Sequence, residues 1–198
     1  MRKKMKYILA SGSPRRQELL KQIDIEYTVI TADVDESYET GTPPGKIVAE
    51  LSRRKGFAVF DKIKDSLSED TVIIAADTLV ARDDAVLGKP KDADEAFEML
   101  KSLSGRSHFV YTGVTLIYFG KNGVKDMTFT DGAEVFFRDL TDEEIKSYIA
   151  TGEPMDKAGA YGIQERGAVL AEGIKGDFYT IVGLPIVKVV TGIRKITK

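Results

Sequence analysis

The chain has no cysteine, no tryptophan and one histidine, His108, among its 198 residues. Without cysteine there are no disulfides, thiolate metal sites or cysteine nucleophiles, which fits a reducing compartment, and a cytoplasmic location is the simplest expectation. A single histidine excludes a two-histidine metal site and leaves any histidine-based triad to that one ring. A surplus of either charge is missing too: 29 basic and 31 acidic side chains leave a formal net charge of -2. There is thus no basic excess for duplex nucleic acid and no acidic tail. Long apolar runs are also lacking. The basic start, Met1-Arg2-Lys3-Lys4-Met5-Lys6, resembles the first part of a signal peptide, but the apolar stretch behind it stops at Ser11, too short for a signal core or a membrane span. Neither nucleic acid nor membrane is an expected partner. Any enzymatic chemistry falls to carboxylates, lysines, arginines and a hard metal, and oxygen donors without histidine or cysteine favour Mg²⁺ or Mn²⁺ over zinc.

What is present fits a single domain over residues 1–198, long enough for one sizeable core or two small lobes sharing a cleft. Tyr7-Ile8-Leu9-Ala10 is an apolar run that breaks at Ser11-Gly12-Ser13 and gives way to a helix. Ser13 is placed to cap that helix, Pro14 takes its first position, and Leu19, Leu20 and Ile23 form its apolar face. Residues 27–30 read as a second strand, followed by the acidic Asp33-Val34-Asp35-Glu36 and a turn over 41–45. The spacing of Ile47, Val48, Leu51, Phe57, Ala58 and Phe60 predicts a helix over 44–63. Residues 71–76 read as a strand buried on both faces that ends at Asp77, near a sheet edge, where open α/β folds place ligands. A turn at Arg82-Asp83-Asp84-Ala85 leads to a short strand bearing Leu87-Gly88-Lys89-Pro90, then to a helix over 92–103. Residues 109–119 and 127–137 form an antiparallel hairpin about Gly120-Lys121-Asn122-Gly123. Thr141-Asp142-Glu143-Glu144 is a capping box, the glycine-rich stretch 152–167 reads as a long functional loop, and Leu184-Pro185 opens a C-terminal helix.

Four features carry charge suited to a shared site. Arg15 and Arg16 in a helix's first turn oppose the helix dipole, a penalty that vanishes if a phosphate sits between the guanidinium groups and the backbone N–H groups; the alternative is a solvated basic turn. Lys55, within Arg53-Arg54-Lys55, is a ligand or part of a solvated helix face. Asp77 with Thr78 is a candidate for that site, or Asp77 simply caps or ends a strand, and Gly88-Lys89-Pro90 is another candidate, or Lys89 sits in an exposed turn. Gly41-Thr42-Pro43-Pro44-Gly45-Lys46-Ile47 is not a Walker loop, because its spacing is short and Ile47 stands where Ser or Thr should hold magnesium.

Taken in order, Ser11-Gly12-Ser13-Pro14-Arg15-Arg16, Ala75-Ala76-Asp77-Thr78-Leu79-Val80, Leu87-Gly88-Lys89-Pro90, the stretch from Arg106 through His108 to Val114, the stretch from Gly152 through Lys157 to Gln164, and Val182-Gly183-Leu184-Pro185 resemble the Maf family of nucleoside triphosphate pyrophosphatases over nearly the whole chain. The resemblance implies a mixed, twisted β-sheet with flanking helices and two lobes around a central cleft, similar to inosine triphosphate pyrophosphatases, often as a homodimer. It implies hydrolysis of surplus or non-standard nucleoside triphosphates to monophosphate and pyrophosphate with a divalent metal. It carries the catalytic carboxylate onto Asp77, triphosphate binding onto Ser11, Ser13, Arg16, Lys55 and Lys89, and a metal-associated acid onto Glu36, with Asp77 as general base or metal ligand. Arg15, Thr78 and Gln164 match the branch that hydrolyses dTTP and UTP, and a glutamine amide can donate and accept at the O4 and N3–H edge of a pyrimidine. Departures from the family pattern stand at Ser52 and Gly56, where Ala is more usual, at Glu165-Arg166, and at Thr180 in place of Asn. Two other readings compete: a non-catalytic nucleotide-binding regulator of cell division and septum formation, against which the intact Asp77 and lysines argue, and a nucleotidyltransferase.

Overall fold

The apolar runs pair into a seven-stranded mixed sheet in a computed structural model of the protein, which describes residues 5–83 and 85–198. The basic start over 1–4 and Asp84 of the expected turn lie outside the described residues. Strands β1 (Lys6–Leu9), β2 (Thr28–Val29), β3 (Thr71–Arg82), β4 (Ala85–Leu87), β5 (Ser107–Gly120), β6 (Gly123–Phe137) and β7 (Ala171–Lys175) follow the order β2-β1-β3-β5-β6-β7, with β4 paired to β3. The chain divides into two compact units. One comprises the described residues up to Asp77 with Thr112–Asp131 and Gly183–Lys198, and the other Thr78–Tyr111 with Gly132–Val182.

In the first unit β1 runs parallel to both β2 and β3, with Lys6 opposite Thr71 and Leu9 opposite Ile74. Leu9, Ile73 and Ile74 are buried, as expected of parallel strands covered on both faces. Helices α1 (Pro14–Gln22) and α2 (Pro44–Ile63) supply cover, and Ile47, Val48, Leu51 and Val59 form the buried stripe of α2. Ile47, the residue that ruled out a Walker loop, is core. Helix α2 comes so close to β5 that a Cβ on Gly113 would lie 2.2 Å from the Val48 carbonyl oxygen, so only glycine fits there. The departure at Ser52 is accommodated in the same interface. Its buried hydroxyl lies 3.0 Å from that of Thr115, itself 2.9 Å from Thr128, and donates to the Ala49 carbonyl, so the polar atom is satisfied.

Strand β3 does not end at Asp77 but runs on to Arg82, because Leu79, Val80 and Ala81 continue the buried run, and it lies between β1 and β5 rather than at an edge. The strand expected to start at Met127 begins at Gly123, four residues earlier.

The second unit has its own core, in which Leu100, Leu103, Val110, Val135, Phe137, Tyr148, Tyr161 and Leu170 are buried. Helix α3 (Ala93–Leu103) is capped by Asp92, which accepts from Glu95 N, and α4 (Asp142–Ile149) carries the expected capping box, with both reciprocal bonds between Thr141 and Glu144 formed. The stretch 152–167 is ordered by successive 3₁₀ turns at Glu153–Asp156, Ala158–Ala160 and Glu165–Val169. Short helix α5 (Phe178–Val182) closes this unit, whereas the C-terminal helix α6 (Ile186–Ile196) belongs to the first.

His108 is buried in the second core, with Nε2 2.7 Å from the Tyr161 hydroxyl and its ring edge-on to Phe137. Burial pulls its pKa from 6.5 down to about 4. The unfolded chain therefore takes up a proton that the folded chain refuses, so stability falls as pH drops from 6.5 towards 4 and is independent of this group above that window. The full loss is ~3 kcal/mol. Urea unfolding at a series of pH values should show a shallower acid limb for His108→Gln than for the wild type. Equally steep limbs would contradict a buried, neutral His108.

Candidate functional site

Where β1 ends, Ala10 N donates to the Ile74 carbonyl at 2.8 Å, and the chain breaks into Ser11-Gly12-Ser13 before α1. The register that pairs Leu9 with Ile74 sets this turn alongside Ala76 and Asp77, beyond the C-terminal end of β1. Ser13 has the extended backbone of an N-cap, but its hydroxyl makes no capping bond, contrary to expectation. The turn is instead organised by Ser11, whose Oγ accepts from Ser13 N at 3.3 Å and from Arg16 Nη1 at 3.0 Å. Arg16 Nε donates to the Gly183 carbonyl at 2.9 Å. A guanidinium fixed at two edges is not a solvated basic turn. Burial lowers the Arg16 pKa, the charges of Asp77 and Glu36 oppose that shift, and Arg15 adds to it.

Gly183 lies in one of the motifs that carry the family resemblance, which gives it no role. Its φ of +119° is a conformation that side chains disfavour, and it presents the carbonyl that orients Arg16. A glycine just before Leu184-Pro185 was the available signal.

Lys55 settles its own ambiguity by contact. Its Nζ lies 2.5 Å from Asp77 Oδ1 and 2.7 Å from Glu36 Oε1, and its side chain is 21% exposed, so it is not part of a solvated face. Three segments meet at this ammonium: α2, the middle of β3, and the irregular stretch before α2 that carries Glu36. The structure thus brings Ser11, Ser13, Arg16, Glu36, Lys55 and Asp77 together within the first unit, with the half-buried Arg15 next to Arg16. Two carboxylates converging on one cation suit Mg²⁺ or Mn²⁺, which typically take one or two protein carboxylates and complete their shell with phosphate oxygens. Among the described residues no cluster of three or more His, Cys, Asp or Glu side chains is placed to hold a metal by itself.

Thr78, Lys89 and Gln164 belong to the second unit. Lys89 is exposed and follows Gly88, whose carbonyl accepts from Gly159 N at 2.9 Å. Gln164 is half-buried in a segment closed on itself. The Tyr148 hydroxyl accepts from Gly162 N at 3.1 Å, and Gly167 lies so near the Gly162 carbonyl that a Cβ there would be 2.0 Å from it. The residue after Gln164, Glu165, has a φ of +54°, a strained value for a non-glycine residue.

A model of the Maf-like protein family matches residues 6–196. The chain belongs to the Maf-like family. Its Maf-like relatives include a Bacillus cytotoxicus protein named dTTP/UTP pyrophosphatase, 46% identical over 190 residues that cover 96% of this chain and 95% of that one. A protein of the same name from Carboxydothermus hydrogenoformans is 48% identical over 191 residues, covering 96% and 98%. Among solved structures, the Staphylococcus aureus Ham1 protein aligns with a TM-score of 0.43 and 17% identity over 68% of this chain and 72% of that one. Among the described residues no helix is long and apolar enough to cross a membrane.

In this Maf-like protein the partly buried Lys55–Asp77 pair should couple more strongly than the Arg53–Asp126 pair, whose side chains are 47% and 35% exposed. Urea-unfolding double-mutant cycles should give roughly 2 kcal/mol for Lys55→Met with Asp77→Asn, against less than ~1 kcal/mol for Arg53→Met with Asp126→Asn. Equally small values would make Lys55–Asp77 an ordinary surface pair.

Proposed function

We propose that this Maf-like protein hydrolyses nucleoside triphosphates, dTTP and UTP among them, to the nucleoside monophosphate and pyrophosphate, and so clears unwanted nucleotides from the pool. The observation that carries the reading is the Asp77 carboxylate held 2.5 Å from Lys55 Nζ, beside a serine and arginine turn at the end of the neighbouring parallel strand. The names of relatives 46% and 48% identical across almost their full length support the substrate class.

A nucleoside triphosphate brings about four negative charges, and attack at the α-phosphorus leaves more on the departing pyrophosphate. Arg16, Lys55 and the serine hydroxyls supply fixed donors and positive charge to meet it, with no reorganisation at the moment of reaction. Asp77 accepts the proton of the attacking water and aims it at phosphorus. Glu36 and Asp77 would hold a divalent cation, Mg²⁺ or Mn²⁺, which when bound neutralises charge on the phosphates. For Lys89 as a further phosphate contact, and for Arg15, Thr78 and Gln164 as determinants of base choice, the support is the motif resemblance alone. A homodimer in the cytoplasm rests on the same ground and on the composition.

With dTTP and Mg²⁺ the products should be dTMP and pyrophosphate, and Asp77→Asn should lose about 10²- to 10⁴-fold in kcat while its unfolding curve stays cooperative. Release of dTDP and inorganic phosphate, or near wild-type turnover in the variant, would contradict the reading. Gln164→Glu should penalise dTTP and UTP by about 1–3 kcal/mol relative to CTP and GTP, since a carboxylate accepts from N3–H but cannot donate to O4. A uniform drop across all four nucleotides would give Gln164 a role in loop structure only.

A further inference from the structure

Glu36 reaches Lys55 from a stretch, 30–43, that contains no strand or helix. Residues 35–40 are all exposed, so burial of apolar surface does not fix the backbone there. One guanidinium grips it instead. Arg54 Nη1 donates to the Asp35 carbonyl at 3.0 Å and to the Ser37 carbonyl at 2.8 Å, one on each side of Glu36. Arg54 Nε donates to Glu50 Oε1 at 2.9 Å, one helical turn back on α2, and this orients the guanidinium plane. The gripped residues are also tied to each other: Asp35 accepts from Ser37 N at 2.9 Å and from Ser37 Oγ at 2.7 Å, an Asx-type turn with Glu36 at its apex.

We infer that Arg54 is the positioning residue for Glu36, a latch that clasps the carbonyls of residues 35 and 37 so that the glutamate is presented to the site. Arg54 and Lys55 are consecutive on α2, so one turn of helix supplies both the latch and the cation that Glu36 meets. Lysine is not equivalent at this position, because its ammonium lacks the planar fork that engages Glu50 through one edge and the two carbonyls through the other. The inference rests on the reading of Glu36 as a group that serves triphosphate hydrolysis. Without the latch the segment samples other conformations, and the fraction of molecules with Glu36 in place multiplies the apparent affinity. The bond-breaking step depends on Asp77 and proceeds once the complex has formed.

The test compares the full chain with Arg54→Met, which keeps the stem and removes every donor, and with Arg54→Lys. Amide hydrogen exchange of residues 34–38 is measured without nucleotide, and kcat, KM for dTTP and the half-saturating Mg²⁺ concentration are measured in steady state. Arg54→Met should exchange faster over 34–38 and raise KM and half-saturating Mg²⁺ roughly tenfold, with kcat within about threefold of wild type. Arg54→Lys should fall between the two. Unchanged exchange over 34–38 in Arg54→Met, or a fall in kcat with KM and Mg²⁺ dependence unchanged, would overturn the latch. Should Arg54→Met fail to fold, Arg54→Lys decides, and values equal to wild type in every readout would overturn it. If exchange accelerates as expected but the wild type itself hydrolyses no triphosphate, the latch stands and the hydrolase reading falls.

Discussion

The ammonium of Lys55 is the point on which the site depends. Two carboxylates from distant parts of the chain, Glu36 and Asp77, lie within 2.7 Å of it, and neither could be brought beside the other at low cost without a cation between them. The rest of the first unit positions that lysine. Helix α2 is pressed onto the sheet through Gly56 and Gly113, and its buried stripe fixes which way Lys55 points.

The turn at Ser11-Gly12-Ser13 depends on the same scaffold. The parallel pairing of β1 with β3 sets Arg16 and Ser11 near Asp77, and Gly183, from a segment distant in sequence, completes the hold on the arginine. The result is a concentration of fixed donors and positive charge around one carboxylate, suited to a polyanionic substrate whose charge grows during the reaction.

What could be read from the sequence was what is local in the chain. The capping box from Thr141 to Glu144 forms as expected because both halves lie within four residues, and the buried runs at β1 and β3 are unmistakable as apolar segments. What could not be read depends on partners far away. Asp77 looked like a strand end because a carboxylate inside a buried strand is costly, and the lysine that offsets the cost lies 22 residues earlier. Ser13 looked like a cap, but Ser11 took over the organisation of the turn. Arg53-Arg54-Lys55 looked like one charged face, yet the helix turns about 100° per residue and sends the three to different places. Arg53 reaches Asp126 and lies 4.4 Å over the Phe57 ring, Arg54 grips the backbone around Glu36, and Lys55 meets Asp77. The family resemblance points to Lys55 but gives no sign of Arg54.

The claim at the centre of this account is that Asp77 and the cations around it direct water to the α-phosphorus. Hydrolysis of dTTP in heavy-oxygen water, with the products separated and weighed by mass spectrometry, tests it most directly. One heavy oxygen is expected in dTMP and none in pyrophosphate. Label in pyrophosphate, with unlabelled dTMP, would place the attack on the β-phosphorus and contradict it.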